Sequence, residues 1–460
     1  MKTFSIDTLG CKVNQYETQQ ILHLLEQLGL DHIDTADKPD MVVVNTCCVT
    51  NTASAKSRQY IRKALKLSPD ADIVVCGCLP LIETGQIPIS GQKLHLVKNR
   101  TNLAQTLTQL VNGQALALDS QSLQIGQDGT IKPENNPKSK YKSPISPKLS
   151  ELTSFKGHTR AFLKIQDGCD GYCSYCIVPK TRPIVQSRSQ QSILHEAQAL
   201  VNAGHKEVVI TGIFLGAFGQ PTVRRNKWPD NRNCEFANLL EKIAQIPNLH
   251  RIRLSSIEPC DVTPRLLDIF CKYPNIMPHL HLPLQSGSSE ILKKMCRQYT
   301  IDEFTRTVDL VKSRLEKPAI TTDIIVGFPG ETDTDFQQTV DLARHVGFAK
   351  MHVFPFSSHH DTPAAKMQKP VHNETIKHRS QVLRDLDNEL GCQFRRQFIG
   401  QTATVLIEDT CSRLAGRCER YFMVSIENPT KNLKKNDLVK VTLTKNNKTD
   451  MTSRQSSVHS

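Results

Sequence analysis

The sequence predicts an α/β protein in three parts: an N-terminal small α/β domain with a parallel sheet, a central partial (β/α)6 barrel, and a C-terminal small antiparallel β-barrel. Three observations carry this expectation. Short apolar runs alternate with helical periodicity through residues 1–118 and again through residues 151–390, the pattern of parallel strands joined by helical crossovers. Between them residues 119–148 are rich in Gln, Ser, Asn, Pro and Lys without a sustained apolar period, so residues 119–150 are expected to form a polar linker or insertion. After residue 390 the helical pattern stops and short strand-like runs follow, as in a small barrel.

Composition narrows the function classes. The 460 residues, 38% of them hydrophobic, suffice for several ordinary cores. No apolar run reaches 18 residues and residues 1–13 lack a signal-peptide pattern, so no membrane partner is expected. A net charge of +13 points to a polyanionic partner, most simply nucleic acid. The 15 cysteines, an odd number, fit a reducing cytoplasm and metal use better than a disulfide framework. Most of them are expected as small buried hydrophobes.

In the N-terminal part, residues 17–28 read as an amphipathic helix through Ile21, Leu24, Leu25 and Leu28, and residues 41–44 and 73–76 as buried strands. Cysteines sit where strands end: Cys11 after Leu9-Gly10, Cys47 after Val44-Asn45-Thr46, Cys78 after Val75-Cys76-Gly77. Ligands of open α/β sheets gather outside the carboxyl ends of the strands, so three such loops can converge three thiolates on one centre. Cys48 and Cys76 are rivals; Gly77, which lets the backbone approach closely, favours Cys78.

In the central part, strands are expected at 161–166, 207–211, 251–255, 279–284, 319–326 and 350–356, with helices at 190–202, 236–246, 263–271, 302–314 and 333–345. Barrels of this kind place chemistry at the carboxyl ends of their strands. The first strand runs into Asp167-Gly-Cys-Asp-Gly-Tyr-Cys-Ser-Tyr-Cys-Ile-Val-Pro179, where Cys169, Cys173 and Cys176 stand at C-x3-C-x2-C spacing. Thiolates this close suit an iron–sulfur cluster. Three ligands for a four-iron cube leave one iron open, as a cluster that binds and reduces a substrate requires. A structural zinc site wants four ligands, and no second pair follows nearby. Thr211-Gly-Ile-Phe-Leu-Gly216, Ser255-Ser-Ile-Glu-Pro259, Leu284-Gln-Ser-Gly-Ser288 and Gly327-Phe-Pro-Gly-Glu-Thr332 end other strands. Their glycines admit a nucleoside, and their polar side chains offer it hydrogen bonds.

In the last part, strands are expected at 402–407, 421–426 and 438–444, with Gly416 at a turn among Arg413, Arg417 and Arg420. Residues 447–460 are polar and expected to be a disordered tail.

The C-x3-C-x2-C loop resembles the radical S-adenosylmethionine (radical SAM) superfamily, whose open iron holds the amino and carboxylate groups of SAM. Gly10-Cys-Lys-Val-Asn-Gln-Tyr-Glu-Thr18, Asn45-Thr-Cys47 with Val49-Thr50, and Gly77-Cys78 resemble the N-terminal domain of the methylthiotransferases, radical SAM enzymes with a second cluster. The resemblance implies two [4Fe–4S] clusters and SAM as cofactors. By its motifs Cys169, Cys173 and Cys176 would hold the radical SAM cluster and Cys11, Cys47 and Cys78 the auxiliary one. Gln285, Ser286, Arg297 and Asp323 would contact SAM, and no catalytic side chain beyond the cluster ligands is expected. Residues 1–118 would be the methylthiotransferase domain, 151–390 the radical SAM core, and 391–446 an RNA-binding TRAM-like domain.

Within the family, Cys11-Lys-Val-Asn-Gln-Tyr-Glu17 is most similar to the MtaB type. That type converts N6-threonylcarbamoyladenosine at position 37 of tRNA, beside the anticodon, to its 2-methylthio derivative. The adenine C2–H bond is too strong and too weakly acidic for a side-chain base, so radical chemistry from the cofactors is needed. Implied partners are the anticodon loop of tRNA, an electron donor such as flavodoxin or ferredoxin, and a sulfur donor left open. The alternatives are the MiaB type, acting on isopentenyladenosine, the RimO type, acting on an aspartate of a ribosomal protein, and a non-catalytic Fe–S RNA-binding or redox protein. The chain departs from the family pattern at Pro183 after Arg182, at Cys296, and at Ser357-Ser-His-His-Asp-Thr362, where Ser-x-Arg-x-Gly-Thr is common. Asp361 in the glycine position is expected to restrict that turn.

Overall fold

The structure is a computed structural model that describes residues 1–82, 93–113, 149–228, 234–411, 413–427, 429, 432–447 and 449–455. Of the expected linker, all but residues 149 and 150 lie outside the described residues. The chain forms two compact units, Met1–Leu152 and Thr153–Ser460.

The first unit runs β1 (Thr3–Thr8), α1 (Lys12–Gln27), β2 (Asp31–His32), β3 (Met41–Thr46), α2 (Asn51–Leu67), β4 (Asp72–Gly77), β5 (Leu94–Leu96) and α3 (Leu103–Val111). Its sheet has the order β2-β1-β3-β4-β5, parallel throughout. Every residue of β3 and β4 is buried, as expected of parallel strands covered on both faces, which read as continuous apolar runs. Phe4, Ile21, Leu25, Met41, Val43 and Val74 share the core. Helix α1 begins at Lys12, a turn and more before the expected start. Its early turns bury the polar Asn14, Glu17 and Gln20, which interrupts the apolar period from which the helix was read.

The second unit opens with β6 (Ala161–Asp167), α4 (Val178–Thr181), β7 (Gln186–Ser187), α5 (Gln190–Asn202), β8 (Glu207–Gly212), α6 (Cys234–Ala244), β9 (Arg251–Leu254) and α7 (Pro264–Lys272). It continues with β10 (His279–His281), α8 (Ser289–Lys294), α9 (Ile301–Arg314), β11 (Ala319–Val326), α10 (Asp333–Val346), β12 (Lys350–Pro355) and α11 (Asn373–Arg396). Two runs, β7-β6-β8-β9 and β10-β11-β12, are linked by parallel bridges Ile252↔Ile276 and Ser256↔His281. Strands β6, β8, β9, β10, β11 and β12 thus form the expected partial (β/α)6 barrel, with β7 antiparallel at its edge. Capping boxes start α9 at Thr300/Glu303 and α10 at Thr332/Asp335, which pins the helix starts read from the sequence.

The chain ends in β13 (Thr402–Asp409), β14 (Ala415–Cys418), β15 (Met423–Glu427), β16 (Leu438–Asn446) and β17 (Met451–Gln455), a closed barrel of order β13-β14-β15-β17-β16. Two expectations are corrected here. Residues 451–455, expected within a disordered tail at 447–460, form β17, which pairs antiparallel with β16 and parallel with β15. Its buried residues are Met451, Thr452 and Ser453, of which one is apolar, too little pattern to be read. Gly416 is not a turn but lies within β14, where a Cβ would meet the Leu406 carbonyl oxygen at 1.9 Å.

The small barrel docks on the amino ends of the (β/α)6 strands. Glu207, Arg251 and His279 are the first residues of β8, β9 and β10. The buried Glu207 carboxylate receives Arg253 Nε at 2.9 Å and faces Arg251 Nη1 at 3.6 Å. The two arginines reach on to the carbonyls of Arg417 (3.0 Å), Glu419 (2.9 Å) and Cys418 (3.2 Å). Tyr421 stacks on His279 at 4.7 Å and its hydroxyl accepts from Arg160 at 3.0 Å. Phe394 and Phe398, at and just after the end of α11, complete the apolar core of the small barrel. The arginines singled out in this region are therefore engaged within the protein. Arg417 pairs with Glu408, Arg420 donates to the Lys317 carbonyl at 2.8 Å, and Arg413 pairs with Asp450 at 2.6 Å.

Candidate metal centres

Strands β1, β3 and β4 are neighbours and parallel, so Cys11, Cys47 and Cys78 leave the same edge of the sheet. Backbone and polar side chains lock these three loops together. The Leu9 N–H donates to the Asn45 carbonyl at 2.9 Å, and that of Cys78 to the Thr46 carbonyl at 3.0 Å. Asn14 Nδ2 donates to the carbonyls of Leu9 (2.8 Å) and Thr46 (2.9 Å), and Asn45 Nδ2 donates to the Asn14 carbonyl at 2.9 Å. Asn14, the buried polar residue of the Lys-Val-Asn-Gln motif, is thus the brace between the cysteine loops. Gly10 (φ +103°) lies against Cys47, whose Sγ a Cβ would meet at 3.0 Å, and at Gly77 (φ +91°) a Cβ would meet the Thr46 carbonyl oxygen at 2.3 Å. Side chains at these positions would be strained and would collide with backbone or ligand. Of the rival cysteines, Cys76 packs in the apolar core, where burial pushes its thiol up to about 12, and Cys48 is fully buried. Arg100, which no motif marks, donates from Nη2 to Cys78 Sγ at 3.2 Å.

In the second unit, the loop after β6 carries Cys169, Cys173 and Cys176. Its base is tied by Arg182, whose Nη1 reaches the Asp167 carboxylate at 2.7 and 3.0 Å and whose carbonyl accepts from the Cys169 N–H at 2.8 Å. Gly168 (φ +82°) has no room for a Cβ, which would meet the Ile184 carbonyl oxygen at 1.7 Å. Its far side is held by Ser174, which donates through Oγ to the Lys294 carbonyl at 2.7 Å and through N–H to Met295 at 3.1 Å. Burial pushes the thiols of Cys169 and Cys176 up to about 12 and raises that of Cys173 despite the pull of Arg297. Such thiols stay protonated until a metal displaces the proton.

Of the residues expected at SAM, Arg297 donates from Nη1 to Cys173 Sγ at 3.1 Å and from Nη2 to Glu258 at 2.6 and 2.5 Å. Asp323 faces His281 Nε2 at 3.2 Å, and ligand atoms of His281, Asp323 and His352 lie within 4.8 Å of one another. Gln285 takes a left-handed φ of +63° and its N–H donates to the Asp323 carbonyl at 2.8 Å. Ser286 is buried, its Oγ accepting from the Ser288 N–H at 3.2 Å. Sequence reasoning passed over the pairing of Glu258 with Arg297 and the two histidines, because only folding sets them beside one another. The turn at Asp361 carries no strain: no residue of 357–362 has a positive φ.

A family model described as the radical SAM superfamily matches residues 163–343, and one described as uncharacterized protein family UPF0004 matches residues 3–97. The threonylcarbamoyladenosine tRNA methylthiotransferase MtaB of Bacillus subtilis is 33% identical over 415 residues, covering 89% of this chain and 85% of the relative. That of Chlamydia pneumoniae is 34% identical over 91% of this chain and 90% of its own. The chain belongs to the radical SAM methylthiotransferase family. Another relative, 33% identical over 90% of this chain and 89% of its own, is the tRNA-2-methylthio-N(6)-dimethylallyladenosine synthase of Pelotomaculum thermopropionicum. Among solved structures, the radical SAM methyltransferase TsrM of Kitasatospora setae, with cobalamin and a [4Fe–4S] cluster bound, matches at TM-score 0.52 and 16% identity over 77% of this chain and 72% of that one. That likeness concerns the fold.

As a methylthiotransferase the chain uses SAM and two [4Fe–4S] clusters. Both cysteine sets fit such groups. Each presents three thiols on strand-end loops, and both loops are cradled by glycines that leave no space for a Cβ.

Proposed function

We infer that this enzyme converts N6-threonylcarbamoyladenosine at position 37 of tRNA to 2-methylthio-N6-threonylcarbamoyladenosine. What carries the reading is the pair of relatives so named, at 33% and 34% identity over nearly the whole chain. In this reading Cys169, Cys173 and Cys176 hold the radical SAM cluster, and Cys11, Cys47 and Cys78 the auxiliary cluster. When bound, these groups and SAM supply the radical and the methylthio sulfur. The protein orients the cofactors, excludes water and receives an adenine turned out of its stack, which an open anticodon loop makes easier. Gln285, Ser286 and Asp323 remain the candidates for SAM hydrogen bonds, while Arg297, the fourth, is bonded to Cys173 and Glu258. Electrons come from a small donor such as flavodoxin or ferredoxin. The expected setting is a reducing cytoplasm, which fits 15 cysteines that are all free thiols; no described helix is long and apolar enough to cross a membrane.

The second reading is the dimethylallyl-type substrate, since a relative of that name matches at the same 33% identity. Mass spectrometry of tRNA nucleosides from cells with and without the protein separates the two. Loss of the 2-methylthio-threonylcarbamoyl nucleoside, with accumulation of its unthiolated precursor, is the expected result. A change confined to the isopentenyl derivative would move the substrate to the second reading.

The small barrel serves as a tRNA handle, but not through the arginines at its docking face. Lys434, Lys440 and Lys445 are among its exposed described residues, the last two on β16. Replacing all three with Glu should weaken tRNA binding and lower the salt slope of log Kd by about two to three, at about 0.7–0.9 per phosphate contact. An unchanged slope would place the handle elsewhere.

A further inference from the structure

Each cysteine set is met by an arginine that donates to one of its sulfurs and is itself held by a glutamate. At the radical SAM loop Arg297 donates to Cys173 Sγ at 3.1 Å and pairs with Glu258. In the first unit Arg100 Nη2 donates to Cys78 Sγ at 3.2 Å, and its Nε lies 4.0 Å from Glu17 Oε2. Chain geometry delivers both partners. Strand β5 pairs with β4, and the Val97 N–H bonds the Val75 carbonyl at 2.9 Å. The chain then turns at Arg100–Asn102, capped by Asn99, beside the end of β4 where Cys78 sits. Glu17 is on α1, whose N-cap residue is Cys11, and it is buried.

We propose that Arg100 and Glu17 form a charge pair that sets the reduction potential of the auxiliary cluster, with Arg100 as the hydrogen-bond donor to its Cys78 ligand. The proposal rests on the assignment of Cys11, Cys47 and Cys78 to that cluster. Potentials of iron–sulfur clusters follow local charge, burial and hydrogen bonds to the sulfurs. A cationic donor on a thiolate stabilises the more negative, reduced cluster, and a nearby carboxylate opposes it. Arg100 is a positioning and tuning residue; it is not asked to touch substrate.

The test uses the full chain with Cys169, Cys173 and Cys176 all replaced by Ala, reconstituted anaerobically, so that one cluster is read. Its midpoint potential is measured by redox titration followed by electron paramagnetic resonance. Arg100→Gln should move the midpoint to more negative values by at least the 59 mV that corresponds to a tenfold change in a one-electron equilibrium. Arg100→Lys, which keeps the charge, should recover part of that shift. Glu17→Gln should move it in the opposite direction, a sign reversal that loosened structure would not produce. Iron content should equal that of the parent in all three. Shifts of the same sign, no shift, or loss of iron from the Lys variant would each overturn the proposal. Adding Cys47→Ala to the same background tests the underlying assignment separately: if iron remains bound there, the ligand assignment fails, whatever Arg100 does.

Discussion

Cys173→Ala should abolish formation of 5′-deoxyadenosine from SAM under reducing conditions and lower bound iron by about one cluster of the two. With three protein ligands, the loss of one leaves two adjacent irons without protein support. The substitution also strips the Arg297 guanidinium of its sulfur partner while its bond to Glu258 remains. Cys271→Ala is the matched control, since that thiol is exposed and outside both cysteine sets; it should leave iron and SAM cleavage unchanged. Cys76→Ala sharpens the result in the first unit. Its thiol belongs to the apolar core, so iron should persist and only stability should fall. Retained SAM cleavage in Cys173→Ala would remove this loop from the chemistry.

The second large effect concerns stability. Glu207→Ala should destabilise the second unit by about 3–5 kcal/mol, the usual penalty for breaking a buried ion pair and stranding its partner. Here Arg251 and Arg253, both nearly fully buried, would lose the carboxylate they share. Calorimetry should show a fall of about 5–15 °C in the melting temperature of this unit. Burial by itself would raise the Glu207 pKa, but Arg253, with Arg160 and Arg251, outweighs it and holds the carboxylate below its ordinary 4.5. A depressed folded-state pKa contributes stability above the unfolded value. That contribution is lost as pH falls below about 4.5 and through the folded value, so the gap between parent and variant should narrow in acid. A melting temperature within a degree of the parent at neutral pH would mean that the docking network contributes little.

The same network changes how the small barrel can be tested. A truncation at Cys392, near the expected end of the central domain, would cut through α11 and remove Phe394 and Phe398 together with the barrel they pack into. It would also bare Arg251, Arg253 and His279 at the amino ends of their strands. Lost tRNA binding in such a chain would report unfolding as readily as a missing contact. Point changes on exposed lysines avoid this.

Much of the protein is written in local sequence. The strand at 319–326 and the helix at 190–202 were bounded to the residue, because an unbroken apolar period and clear end signals agree there. The strand-end placement of both cysteine sets is legible for a different reason: strand-end position and short spacing are local properties, and a parallel sheet brings strand ends to one edge wherever it forms. Where polar residues face a site instead of solvent, the period breaks. That is why the apolar period places the start of α1 at 17 whereas the helix starts at 12, with Asn14 and Glu17 buried in its early turns. Strand β17, whose buried residues are Met451, Thr452 and Ser453, carries a single apolar side chain and so no pattern to read. What the sequence by itself determined, then, is the fold class, most of the strand and helix order, and the family. Only the tertiary structure decided the partners of charged groups. Arg100 meets Cys78 across 22 positions, Arg297 meets Cys173 across 124, and Arg253 meets Glu419 across 166. An arginine in a sequence carries the same charge whether it faces RNA, a thiolate or a buried carboxylate. Which of these it meets depends on long-range packing that no local pattern encodes.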